Sequence, residues 1–270
     1  MNFNRFSLQS TAAVIAPAAS LVAHAQITTV AFYNFENTTS GVLPFYGDAT
    51  GHGFNYIGTN SSSATFSTDV APTGGSFAFS GTSNSGAFIT DSAPISTTTD
   101  FGIQLLFKNP SGTTSVGTLL MAVGHPNETG SANIFYDPVN NTMYGQINGI
   151  RIGEVNEGAY TENAWNSAAL VLTGDTATFY INGSAVASVI QSLSSAPTKR
   201  SHILINPGST SIYTGLADNI QIFTFANGTF NPSTDLATVP EPAATALLAG
   251  VLGLGAVIGL RRRLRAGRSQ

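Results

Sequence analysis

The sequence predicts an all-β domain, an antiparallel two-sheet sandwich or jelly roll, and three observations carry that reading. Between Gln26 and Thr238 the chain runs in short stretches of β-branched and aromatic residues, broken every dozen or so positions by Gly, Asn, Asp, Ser and Pro. Patterns of helical period are almost missing from the same span. Compact turn signals join neighbouring stretches, the sharpest being Asn182-Gly183, which suits the two positive φ angles of a type I′ hairpin.

In chain order, Arg5 precedes an apolar run over residues 12–22 that closes on Ala23, His24 and Ala25, the small-x-small pattern read by a signal peptidase. Residues 1–25 are therefore expected to be a signal peptide, with Gln26 as the mature N-terminus. Strands are expected over 29–35, 76–79, 101–108, 117–123, 133–137, 142–147, 167–172, 176–181, 184–189, 201–205 and 217–225. Gly174-Asp175 turns the chain between 167–172 and 176–181, and Asn182-Gly183 turns it again before 184–189. After the β region, residues 243–260 contain only Ala, Leu, Val, Ile, Gly and Thr245, and Arg261, Arg262, Arg263 and Arg265 follow. A span of about 20 apolar residues crosses a hydrocarbon core of about 30 Å, so 243–260 is expected to be a transmembrane helix with its arginine flank in the cytoplasm.

The body between these ends, residues 26–238, is long enough to bury one sizeable β core. It holds four basic residues (Lys108, Arg151, Lys199 and Arg200) against thirteen acidic ones, a formal charge of −9 that the whole-chain value of −4 hides. Six of the ten basic residues sit in the two terminal segments. An acidic body disfavours nucleic acid, whose binding needs basic side chains to displace phosphate counterions. Cysteine is absent, which removes disulfides, thiolate metal sites and cysteine catalysis.

Val239, Pro240, Glu241 and Pro242, then the apolar segment, then the arginine cluster, together resemble the PEP-CTERM sorting signal over residues 239–270. The resemblance implies export by a Gram-negative bacterium, cutting near Pro-Glu-Pro by an exosortase, and a place at the cell surface or in extracellular polysaccharide and biofilm. The helix is then a transient address label that holds the chain at the membrane before processing.

A second resemblance runs through the β region. Trp165, Ala168 to Leu172, Gly174, Thr176 to Tyr180 and Asn182-Gly183 are similar to a segment of laminin G-like, concanavalin A-like domains. The stretch from Ala31 to Phe35 with Gly47-Asp48 and Gly51-His52-Gly53 resembles the start of that family, and the stretch from Gly215 to Ile220 its end. The family implies a concanavalin A-like jelly roll of two antiparallel sheets. It also implies a structural calcium ion near the rim, for which Asp48 and Asp218 are the matching carboxylates; calcium prefers several oxygen ligands of this kind. The alternative for each is structural: Asp48 caps its own turn, and Asp218 ends the alternation of a surface strand.

No catalytic constellation emerges. Glycosidases use two carboxyl groups about 5–10 Å apart, and the closest glutamates, Glu154 and Glu157, read as part of a glycine-bounded turn over 153–158. There is no Gly-x-Ser-x-Gly elbow, and His52, His125 and His202 lack the spacing of a helical zinc site. Sugar binding needs aromatic faces with polar neighbours; Phe45, Tyr46, Phe54, Tyr56, Tyr136, Tyr144, Tyr160 and Tyr213 lie in turn-like, Asn- and Gly-rich surroundings, and Trp165 reads as a packing anchor. The sequence thus leads to a non-enzymatic, exported protein with a carbohydrate-binding jelly roll. A purely structural matrix component without ligand, and a glycan-cleaving enzyme, are the alternatives.

Overall fold

The computed structural model describes residues 27–36, 45–46, 49–50, 52, 56–58, 65–72, 78–80, 87–92, 100–108, 118–126, 128–137, 139–156, 158–193, 195–203, 215–226, 228–237 and 239. In chain order the strands are β1 (Thr28–Tyr33), β2 (Phe45–Tyr46), β3 (Tyr56–Gly58), β4 (Thr65–Ser67), β5 (Ala78–Ser80), β6 (Ala87–Ser92), β7 (Asp100–Lys108) and β8 (Thr118–Val123). They continue with β9 (Ala132–Asp137), β10 (Thr142–Ile147), β11 (Ile150–Val155), β12 (Asn166–Thr173), β13 (Thr176–Ile181), β14 (Ser184–Ile190), β15 (Arg200–Ile203) and β16 (Leu216–Phe225). A single helical turn, α1 (Pro232–Asp235), follows.

Among the described residues these strands make two antiparallel eight-stranded sheets, a jelly-roll sandwich. Sheet A runs β14-β13-β12-β7-β16-β5-β4, with β1 also on β16, and sheet B runs β11-β10-β9-β8-β15-β6-β3-β2. The alternation of side chains along each strand sends Phe101, Ile103, Leu105 and Phe107 of β7, Leu170 of β12 and Phe179 of β13 inward. There they pack against Leu120 and Val123 of β8, Ile134 of β9 and Met143 of β10. Each such side chain contributes about 1.5–3 kcal/mol by leaving water, and with no cysteine in the chain this core is the principal source of stability.

The predicted hairpins form. Asn182 and Gly183 take φ of 49° and 76°, and β13 and β14 pair through them from Ile181 opposite Ser184. The same chemistry recurs at Asn148-Gly149, with φ of 51° and 79°, and it creates an edge strand that the sequence reading missed. Glu154 therefore belongs to β11 and not to a glycine-bounded turn, which corrects the reading of 153–158 for its first three residues. Strands β2, β3, β4 and β6 were also not expected. Residues 243–260, expected from sequence to be a transmembrane helix, lie outside the described residues, and among the described residues no helix is long and apolar enough to cross a membrane.

Strand β16 organises sheet A. One edge pairs with β7 from Leu216 opposite Lys108 to Phe225 opposite Asp100, while the other is shared between β5, at Leu216 and Ala217, and β1, from Ile220 to Thr224. Where the two partners meet, β16 bulges: its register against β7 shifts between Asp218 and Gln221, and Asn219 takes a φ of 46°, the left-handed conformation that asparagine tolerates.

The second face of sheet A is also apolar. Ala169, Val171, Phe223 and Phe225 point away from the main core and pack with Leu236 and Phe230 of the segment after β16. Phe223 lies opposite Gly102, and a Cβ on Gly102 would penetrate the Phe223 ring. Gly102→Ala is therefore expected to cost about 1–3 kcal/mol through overpacking, read as a lower denaturation midpoint. An unchanged midpoint would mean that Phe223 is free to move aside.

Candidate functional site

The outer face of sheet B carries a row of side chains, most of them polar, in direct register. His202 of β15 pairs with Ala122 of β8, Ala122 with Asn133 of β9, Asn133 with Gln146 of β10, and Gln146 with Arg151 of β11. Each polar member alternates with an inward neighbour, Ile203, Ile134, Ile147 and Ile152 respectively, so all of them face outward. Beside this row stand Leu119, Phe135 and Tyr144, a second buried cluster together with Ala122.

These groups are interlocked. The Phe135 and Tyr144 rings stack at 5.1 Å, and the Arg151 guanidinium sits 4.2 Å from the centre of the Tyr144 ring, a cation–π contact. The Asn133 amide donates to Gln146 Oε1 at 3.1 Å, to the Pro126 carbonyl and to Ser131 Oγ. Its own Oδ1 is buried without a donor, a costly condition for a polar atom. Thr142 Oγ1 donates to Glu154 Oε1 at 3.1 Å. Burial pushes the Tyr144 phenol up; Arg151 opposes that shift, while Asp137 and Glu154 add to it.

The face closes at one side and opens at the other. Leu119, Ala122 and Asn133 are fully buried, Gln146 is half-buried, and Arg151 and Glu154 are exposed. One end is walled by residues 124–131 packed on 195–199. Here Glu128 accepts from the Thr198 amide at 2.7 Å, from the Thr198 hydroxyl at 2.6 Å, from Lys199 and from the His125 amide. Partial burial works against that carboxylate, but the hydrogen bonds outweigh it and hold its pKa below the usual value. His125 places its ring edge-on to His202, with centroids 5.9 Å apart.

The residues singled out from sequence are distributed differently. Asp218 is fully buried, and each of its oxygens accepts a backbone amide, from Ala71 at 3.2 Å and from Asn219 at 2.8 Å. It fastens the chain before β5 to the bulge in β16. Burial pushes its carboxyl up to about 6, against those two hydrogen bonds, with Glu36 adding like charge. A calcium ion takes six to eight oxygen ligands; Asp218 and Glu36 offer two carboxylates, and among the described residues no three His, Asp or Glu side chains are close enough to hold a metal. Asp48 lies outside the described residues, but its neighbours clasp the free edge of β1: the Ala49 amide donates to Phe32 O at 2.8 Å, and His52 Nδ1 donates to Val30 O at 2.8 Å. Ala23, Ala25, Gln26, Pro240, Glu241, Pro242, Arg261, Arg262 and Arg263 also lie outside the described residues, and Val239 is the last residue within them.

Phe54 and Tyr213 and the side chains of Phe45, Tyr46 and Tyr56 lie outside the described part of the structure, and among the described tyrosines Tyr144 joins the outward face. Tyr136 and Tyr160 are buried with their hydroxyls on Asn141 Oδ1, at 2.9 and 2.6 Å. Trp165 donates its indole N–H to Asp69 at 3.2 Å, and Lys108 pairs with the same carboxylate at 2.6 Å. The Lys108 hydrogen bond holds Asp69 below the usual carboxylate range. Asn133, Gln146 and Arg151 were not found from sequence, because their alignment depends on register across three strands.

No protein-family model matches this sequence, and no curated protein matches it. Solved structures do match. Domain 4 of AbnA, a GH43 extracellular arabinanase from Geobacillus stearothermophilus solved in complex with arabinotriose, is 17% identical with a TM-score of 0.54, over 77% of this chain and 96% of that one. The binding domain of Paraclostridial Mosquitocidal Protein 1 is 15% identical with a TM-score of 0.56, over 76% of this chain and 50% of that one. Trypanosoma rangeli sialidase is 15% identical with a TM-score of 0.52, over 75% of this chain and 31% of that one. At these identities the likeness is one of fold, a β-sandwich.

The raised pKa of Asp218 gives a pH signature. An aspartate pushed from 3.8 to about 6 by folding contributes stability that is full below pH 4 and lost as pH rises through 6. Asp218→Asn removes that dependence, so the stability of the native chain relative to the variant is expected to fall by about 2–3 kcal/mol between pH 4 and pH 7. Denaturation curves of constant separation across that window would contradict the burial of an ionisable carboxyl there.

Proposed function

We propose that this chain is an exported surface or matrix protein, sorted through its C-terminal signal by an exosortase, whose sandwich binds extracellular polysaccharide without cleaving it. The observation that carries the binding reading is the β11 end of the outward row, where Gln146 is half-buried and Arg151 exposed in front of the buried Tyr144. Amide and guanidinium groups exchange hydrogen bonds with sugar hydroxyls, and Tyr144 holds the Arg151 guanidinium in place from beneath. The fold shared with an arabinanase domain solved with arabinotriose supports the same reading.

A binding role fits the carboxylates better than catalysis does. Asp137 accepts from the Val139 amide and the Asn140 side chain, and Glu154 from Thr142. Both are engaged by their neighbours, whereas glycoside cleavage needs an acid and a second carboxylate facing one bond. Calcium enters the same proposal only as a structural ion at Asp48, because both Asp218 oxygens accept backbone amides.

A glycan array with residues 26–238, run with calcium and then with a chelator, tests the reading. Binding that falls about tenfold or more in Arg151→Ala and Gln146→Ala is expected; loss of binding in chelator would assign calcium a part. No binding in either buffer would favour a ligand-free structural component of the matrix. For sorting, Pro240→Ala with Glu241→Ala is expected to leave the C-terminal segment uncut in producing cells, and unchanged processing would contradict the exosortase reading.

A further inference from the structure

The chain has a single tryptophan, and it stands apart from the cores. Trp165 is half-buried; among the described residues it belongs to none of the apolar clusters, neither as a buried member nor as a neighbour packed against one. What holds it is polar. Its indole N–H donates to Asp69 Oδ1 at 3.2 Å, and Asp69 Oδ2 accepts from Lys108 Nζ at 2.6 Å. An indole N–H lies in the ring plane, so Asp69 sits off one edge of the ring and occupies neither of its faces.

The loop that carries Trp165 is fixed by the next residue. Asn166 is buried, its Oδ1 accepts the Thr161 amide at 3.0 Å, and its Nδ2 donates to the carbonyls of Thr161 and Ala164, each at 2.8 Å. The indole is thus displayed on a backbone already ordered, which lowers the entropic cost of a contact made there. Stability does not account for the arrangement. The Lys108 and Asp69 side chains are 25% and 47% exposed, and an ion pair so open to water contributes little, whereas an indole sunk in the core would contribute much.

The groups at the ring edge have bonding capacity left. Lys108 keeps two N–H donors beyond the one given to Asp69, and each Asp69 oxygen keeps a second lone pair. A cation finds this carboxylate already neutralised by Lys108, and an anion meets a strongly acidic body, so the site suits a neutral ligand. A pyranose ring has an apolar C–H face and a hydroxyl-bearing edge, the complement of an aromatic face with a donor and an acceptor beside it.

We propose that Trp165, Asp69 and Lys108 form a second saccharide contact of the sandwich, which stacks one neutral pyranose ring on the indole and takes neighbouring hydroxyls of that ring on the carboxylate and the ammonium group. The inference goes beyond the outer face of sheet B and stands on residues that face does not use. Tyr160, in the segment leading to Trp165, bonds Asn141 just before β10 begins, whereas Arg151 pairs with Gln146 near the end of β10. The two contacts therefore lie toward opposite ends of the sandwich, and together they give one domain two holds on a polymer.

The test is a fluorescence titration of the full chain in detergent, where Trp165 is the only indole. The probes are cellotetraose, xylotetraose, mannotetraose and maltotetraose, each taken to about 10 mM. At least one of them is expected to shift the Trp165 emission to shorter wavelength and to saturate. Asp69→Ala and Lys108→Met are each expected to weaken that titration about tenfold with the thermal midpoint unchanged, since the pair they break is open to water. The signal arises at this rim alone, so it and the outer face of sheet B succeed or fail separately. No saturable change with any of the four sugars would overturn the proposal, and so would a change that both variants leave unaltered.

Discussion

Sheet A carries an apolar patch on its second face, at β12 and β16, and the need to keep that patch dry shapes the C-terminal part of the protein. Phe223 and Phe225 point outward from β16, Ala169 and Val171 from β12, and an uncovered patch of that kind would invite association. The chain covers it itself with a strap, residues 228–237, that carries Phe230 and Leu236. The cover has consequences in both directions along the sequence. Upstream, Gly102 must lack a side chain so that Phe223 can lie flat beneath the strap. Downstream, a segment that carries no long helix is nonetheless tied down as far as Ala237.

Sheet B meets the opposite requirement. Its outward side chains near β10 and β11 are amide, guanidinium, hydroxyl and carboxylate, joined to one another by hydrogen bonds and by the Arg151 contact on Tyr144. The two outer faces are therefore unequal: one has its apolar patch at β12 and β16 covered by the chain's own C-terminal segment, and the other presents polar groups that become progressively exposed toward β11. In a body of strongly negative formal charge, Arg151 is one of four basic residues, and its position on this face concentrates hydrogen-bond donors where an uncharged, hydroxyl-rich ligand has use for them.

The sequence made the long strands legible because each is a run of β-branched and aromatic residues bounded by turn formers, and the Asn182-Gly183 hairpin could be placed to the residue. Strand β11 escaped although Asn148-Gly149 carries the same turn chemistry, because Arg151, Gly153 and Glu154 dilute its apolar pattern to the single fully buried Ile152. Strands β2 to β5 have only two or three residues each, too few for a period to show; of these, only β5 was touched by an expected strand. Asp218 was noticed for the right chemical reason, a carboxylate in a special place, yet the oxygens that might face an ion accept amides at a bulge that no local pattern announces. Tyr136 and Tyr160 look like loop tyrosines in the sequence, but a shared partner, Asn141, draws their hydroxyls into the core. The polar row and the strap were invisible because both are long-range: one depends on register across β8 to β11 and the other on what Phe230 meets after the chain reverses.

The proposed function puts the ligand on the outer face of sheet B and not on the patch of sheet A that Phe230 and Leu236 cover. The most direct measurement is a residue-resolved NMR titration of residues 26–238 with the oligosaccharide that binds best. Shifts in the neighbourhood of Asn133, Tyr144, Gln146 and Arg151, with Gln104, Phe223 and Ala237 unmoved, are what the proposed function predicts. Shifts centred on Gln104, Phe223 and the strap, with the β9 to β11 face silent, would contradict it.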